Sequence, residues 1–96
     1  MTEVEFSKLF ERKRKKIIKK VSKICSERNI ILTTGADFKN DIILEFRKTK
    51  YNKISKVSYP YMDYTECHVL FSDIMKRSVF FIIRDIKGFI KMAGMW

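Results

Sequence analysis

The sequence predicts a small single α+β domain of order α-β-β-β-α, with helices covering one face of a three-stranded antiparallel sheet. Three observations carry this expectation. An unbroken helical pattern fills residues 3–28, three short β-branched runs follow at 30–34, 42–50 and 54–61, and an apolar stripe at helical spacing resumes over 64–92.

The first helix is the clearest element. Thr2 stands three residues before Glu5, the arrangement of a capping box, and neither Gly nor Pro occurs between Glu5 and Asn29. Phe6, Phe10, Ile17, Val21 and Ile24 recur at helical spacing, and Leu9, Ile18 and Cys25 widen the stripe. Asn29 is the expected stop, because asparagine tolerates the left-handed conformation that ends helices. Lys13 and Arg14 interrupt the stripe between Phe10 and Ile17, so the first turns are expected to pack separately from the rest, or on a partner.

Each of the next three runs reads as a strand. Residues 30–34 are β-branched and end at Gly35. Over 42–50, Ile42, Leu44 and Phe46 alternate with Ile43, Glu45 and Arg47, giving one apolar and one largely polar face. Over 54–61, Val57, Tyr59 and Tyr61 share a side. Turn residues occupy 35–41 and 51–53, with Asn52 in the second, and links this short favour an antiparallel meander.

The last segment reads as helix from about residue 64. Asp63 and Glu66 have the spacing of a capping pair, and Leu70, Phe71, Ile74, Val79, Ile82, Ile86, Phe89 and Ile90 continue a helical stripe. The run 79–83 fits either a helix or a strand, since a short apolar run has no decisive period. Helix is preferred, with a break at Gly88 and a short terminal helix through Met92.

With 96 residues, 46% hydrophobic and 33% charged, the composition is globular, and a domain this small leaves little room for an enclosed active site. Cys25 and Cys67 lack a C-x-x-C arrangement and read as reduced thiols. The acidic start Met1-Thr2-Glu3 has no apolar region of a secretory signal, and the longest apolar run, 79–83, is far too short to span a membrane. A cytoplasmic, intracellular location is the expectation.

Charge placement carries the functional expectation. There are 21 basic against 11 acidic residues, a net charge of +10, and residues 1–28 alone hold ten basic and four acidic groups. On a helix, Lys8, Arg12, Lys15, Lys19 and Lys23 step by three or four residues along one face, with Lys16 beside them. Like charges at this spacing repel, and a polyanion along the face relieves the repulsion while releasing its counterions. Arg47, Lys48, Lys50, Lys53 and Lys56 gather around the expected hairpin turn and offer a second grip on a phosphate backbone. Tyr51, Tyr59 and Tyr61 lie near that turn and are candidates for stacking on unpaired bases. The resulting expectation is a non-enzymatic module binding DNA or RNA through phosphates, with little sequence specificity.

Other classes find less support. His68 is the single histidine; it follows Cys67, but neighbouring helical side chains point about 100° apart and a zinc site needs further ligands, so no metal and no cofactor are expected. No linear catalytic motif is present. A small RNase-like toxin assembled from His68, Glu66, Arg47 and Tyr61 is the enzymatic alternative. Phe80, Phe81, Ile83, Phe89 and Trp96, mixed with Arg84, Lys87 and Lys91, resemble a membrane-surface helix, yet Ile82, Ile86 and Phe89 of the same segment are needed to close a small core. The main alternative is a protein-interaction module binding an acidic protein, such as a phage or mobile-element inhibitor, adaptor or virion component. A homodimer would complete the apolar surfaces of the first and last helices.

Overall fold

A computed structural model describes residues 2–51 and 60–96, with side chains described over 2–48 and 63–96. The elements are α1 (Glu3–Glu27), β1 (Ile31–Ala36), β2 (Ile42–Tyr51), β3 (Pro60–Val69), α2 (Phe71–Lys76) and α3 (Val79–Met92). This is the expected α+β order, a helix, a three-stranded antiparallel sheet and a helical end, with the last helix divided in two.

Local chemistry sets the limits of α1. The Thr2 hydroxyl accepts from the Glu5 amide at 3.2 Å. At the other end Asn29 turns to φ 58°, and the Ile30 amide donates to the Cys25 carbonyl at 2.9 Å. A left-handed residue that closes such a bond is a common helix stop.

The sheet order is β1-β2-β3, with Leu32 opposite Phe46, Thr34 opposite Leu44, and Phe46, Leu44 and Ile42 opposite Thr65, Cys67 and Val69. Alternation therefore places Ile42, Leu44 and Phe46 on one face, where they are fully buried. Ile17, Val21 and Cys25 of α1, Ile74 of α2 and Ile82, Ile86 and Ile90 of α3 join them in one core. The helices thus share one face of the sheet, and among the described residues no element packs on the other, open face.

The third strand runs through residues expected to be helical. A strand occupies Pro60–Val69, where a helix is expected from 64; it overlaps the expected strand 54–61 at 60–61. Tyr51 is a strand residue paired with Pro60; residues 52–59, which include the rest of the expected turn and most of the expected strand, lie outside the described residues. Asp63 and Glu66 are strand residues rather than a helix cap. Their spacing imitates a capping pair, but Thr65, Cys67 and Val69 face the core while Tyr64 and Glu66 face outward, a period of two.

The run 79–83 is helical. Ser78 caps α3, its hydroxyl accepting from the Phe81 amide at 3.5 Å. Gly88 lies within α3 and breaks nothing; the break falls at Arg77 and Ser78, between α2 and α3. Past the end of α3, Gly94 at φ 74° lets the Met95 amide reach the Ile90 carbonyl at 3.2 Å.

Lys13, one half of the basic interruption in the α1 stripe, is satisfied within the chain. Lys13 Nζ donates to the carbonyls of Arg77 at 3.1 Å and Met75 at 3.4 Å, at the C-terminal end of α2. Phe6 and Phe10 flank Phe71, with ring centroids 5.7 and 5.0 Å away. The first turns of α1 therefore pack on α2. Replacing the ammonium, as in Lys13→Met, leaves those carbonyls without a charged donor and is expected to cost about 1 kcal/mol. For a domain this size that is a fall of roughly 4–8 °C in Tm, with faster hydrogen exchange in α2; an unchanged melt would show that Lys13 has no capping role.

Candidate functional site

α1 turns its cations away from the core. Ile17, Val21 and Cys25 are buried, while Lys8, Arg12, Lys15, Lys16, Lys19, Lys20 and Lys23 are all exposed. Among the described residues none of these seven has an ion-pair partner. Glu11 is the single acid between Lys8 and Lys23. Repulsion along the helix is therefore left largely uncompensated.

Lys20 was not placed on this face by spacing alone, and its importance comes from a neighbouring helix. Lys16, Lys19, Lys20 and Lys23 line a groove whose far side begins at Val79. The groove continues past Lys20, Lys23 and Ile24 of α1 to Ile83 and Lys87 of α3, with Glu27 at its edge. The two helices run in the same direction here, so α3 adds Lys87 to the surface begun by α1.

The hairpin contributes differently from expectation. Arg47 is on the open face, away from α1. Its guanidinium donates to Glu45 Oε2 at 3.2 Å and Thr33 Oγ1 at 3.4 Å and lies 4.9 Å from the Tyr64 ring centroid. Lys48 is on the helix side of the sheet, where its ammonium donates to the Met95 carbonyl at 2.9 Å. Arg47 and Lys48 are thus engaged internally and do not extend the α1 surface. Lys50, Tyr51 and Tyr61 belong to the β2–β3 ladder, but their side chains lie outside the described residues, as do Lys53, Lys56 and Tyr59 altogether.

Beside Arg47 the open face carries a second polar cluster. The Tyr64 hydroxyl donates to Glu66 Oε2 at 3.0 Å, and the other Glu66 oxygen pairs with His68 Nε2. His68, Glu66 and Arg47 therefore share a face, as the RNase-like alternative requires, with Tyr64 as the neighbouring phenol. That face is opposite the exposed cations of α1. Cys67 and His68, adjacent on a strand, point to opposite sides and form no dyad. Burial pushes the Cys25 thiol up to about 11 and raises that of Cys67, so neither is an activated thiolate. Among the described residues no group of three or more His, Cys, Asp or Glu side chains is placed to hold a metal ion.

The Glu66 hydrogen bond raises the His68 pKa, and the same contact, with that from Tyr64, lowers the Glu66 pKa. Stability from the raised His68 is present in full below about pH 6.5 and is lost as pH rises through its folded value. Stability from the depressed Glu66 is present above about pH 4.3 and is lost as pH falls through its folded value. The pair thus contributes most between those limits. In Glu66→Gln the NMR titration midpoint of His68 is expected to move down; an unmoved midpoint would show that the pair is not formed in solution.

The C-terminal aromatics divide between packing and exposure. Ile83 is buried and Phe89 packs against the core. The Trp96 ring lies under the Arg28 guanidinium at 3.4 Å and near Lys91 Nζ at 4.7 Å. Phe80 and Phe81 remain 70% and 45% exposed. Among the described residues no helix is long and apolar enough to cross a membrane. No protein-family model, no curated protein and no solved structure matches the chain.

Proposed function

We propose that this chain is a non-enzymatic binding module, acting inside the cell, that holds a nucleic acid by its phosphate backbone on the exposed face of α1. The observation that carries the reading is the row of seven exposed cations from Lys8 to Lys23, with no ion-pair partner among the described residues. A phosphate chain supplies the missing counter-charge at regular spacing and gains the entropy of its released counterions. Phosphate contacts position a protein without reading bases, so sequence specificity is low. The open-face cluster of His68, Glu66 and Arg47 lies on the opposite side of the sheet, where a strand bound along α1 does not pass, which supports a binding role over RNA cleavage.

A second reading, an acidic protein partner, is favoured by Phe38 and Met92, each 91% exposed, because protein interfaces anchor on a few apolar side chains. Salt dependence separates the two. Fluorescence anisotropy with labelled single strands and duplexes of DNA and RNA, over a salt series, is expected to give a log–log slope of about −3 for four phosphate contacts on a single strand. Absence of binding at low salt would reject the nucleic-acid reading and leave the charge to steer an acidic protein.

A further inference from the structure

We infer that the nucleic acid held here is single-stranded, its phosphates following the α1–α3 groove and an unpaired base stacking on Phe80. The inference rests on the proposed role of α1 and extends it to a second helix and to the bases.

The groove brings Lys16, Lys19, Lys20 and Lys23 against the start of α3 at Val79, and Lys87 adds a further cation along it. At 100° per residue, Phe80, Arg84, Lys87 and Lys91 fall within an arc of about 60° on α3. Val79, Ile83 and Lys87 line the groove, so this arc is the shoulder bordering it. A positively charged channel with an aromatic on its rim is the arrangement that binds single strands: lysines follow the backbone, and the ring receives a base.

Among the described residues Phe80 does not belong to the core or to the side chains packed against it. The core side of α3 is filled by Ile82, Ile86 and Ile90, and the helix is capped by Ser78. Phe80 meets Phe81 at a steep angle, with centroids 5.4 Å apart, and the Arg84 guanidinium lies 4.9 Å from the Phe81 centroid. The Phe81 ring braces Phe80 on one side and is itself covered by Arg84, leaving Phe80 70% exposed. A base already paired and stacked inside a duplex presents no free face to such a ring, whereas an unpaired base does. A lipid surface fits less well, because three cations share the arc with Phe80 and the aromatic area beside it is the half-exposed Phe81, little for insertion.

The test compares the native chain with Phe80→Ala and Phe80→Trp, each checked for an unchanged thermal melt. The probes are an oligothymidylate, an abasic strand of equal length and charge, a duplex, and phosphatidylserine-containing vesicles. Native protein is expected to prefer oligothymidylate to the abasic strand by about tenfold, the size of one base–aromatic stack. Phe80→Ala should abolish that preference without weakening abasic-strand binding, and Phe80→Trp should keep it. Equal native binding to both strands, preference for the duplex, or an unaffected Phe80→Ala variant would overturn the inference while leaving the α1 reading intact. Loss of all nucleic-acid binding in the native chain would overturn both, and vesicle binding that depends on Phe80 would then assign the surface to anionic lipid.

Discussion

Changing Arg12, Lys15 and Lys19 together to glutamate is expected to weaken oligonucleotide binding by about a hundredfold or more at 0.1 M salt. A slope of about −0.7 per phosphate contact on a single strand corresponds to about 1 kcal/mol per contact at that salt. Three lost contacts therefore amount to about 3 kcal/mol, roughly two decades in affinity, before the repulsion of three new carboxylates is counted. The salt slope should flatten by about 2 at the same time. All three side chains are exposed, so the thermal melt should barely move. Reversing Lys39 and Lys76, exposed cations on the β1–β2 turn and on α2, serves as the control and should change affinity only slightly. Equal losses in both variants would mean that net charge, not the α1 face, governs binding.

Phe46→Ala is expected to have the largest effect on stability. Phe46 is fully buried at the centre of β2, opposite Leu32 and Thr65, with the Phe89 ring centroid 6.4 Å away. Truncating a buried phenylalanine removes its transfer energy and leaves a cavity, at a cost of about 3–5 kcal/mol. A domain of this size has about 5–15 kcal/mol in total, so the variant should be close to unfolding at room temperature. Urea denaturation would register the loss as a lower midpoint. Glu45→Gln, one residue away on the open face, should cost less than about 1 kcal/mol. Similar effects at both positions would contradict the one-sided sheet.

The parts of this fold that were legible in the sequence are those specified locally. α1 announces itself through Thr2, Glu5 and a stripe that runs unbroken by glycine or proline to Asn29. β2 is equally plain, because Ile42, Leu44 and Phe46 are all strongly apolar and alternate with other residues. β3 was obscured for the opposite reason. Its inward residues include Thr65 and Cys67, which barely stand out from the outward Tyr64, Glu66 and His68, so the alternation is muted. Asp63 and Glu66 then supplied a misleading helix signal within what is β3. For 79–83 the deciding residue, Ser78, was present in the sequence as a helix cap.

The candidate surface was legible only in its first half. Lys8, Arg12, Lys15, Lys19 and Lys23 follow from helical spacing alone. The joining of Lys20 and Lys23 to Lys87 depends on how α3 packs beside α1. The same is true of Lys13, which looks like a defect in a core stripe until the end of α2 is placed next to it. Arg47 and Lys48 show the converse: clustered in sequence, they lie on opposite sides of one strand.

The central claim, that the exposed cations of α1 are the binding surface, is tested most directly by titrating isotope-labelled protein with a short single-stranded oligonucleotide and following the backbone amide signals. Shifts are expected along Arg12 to Lys23 and over the first half of α3, with Thr33, Glu45 and His68 on the open sheet face unaffected. Shifts centred on the open face instead, or none at any ratio in low salt, would contradict it.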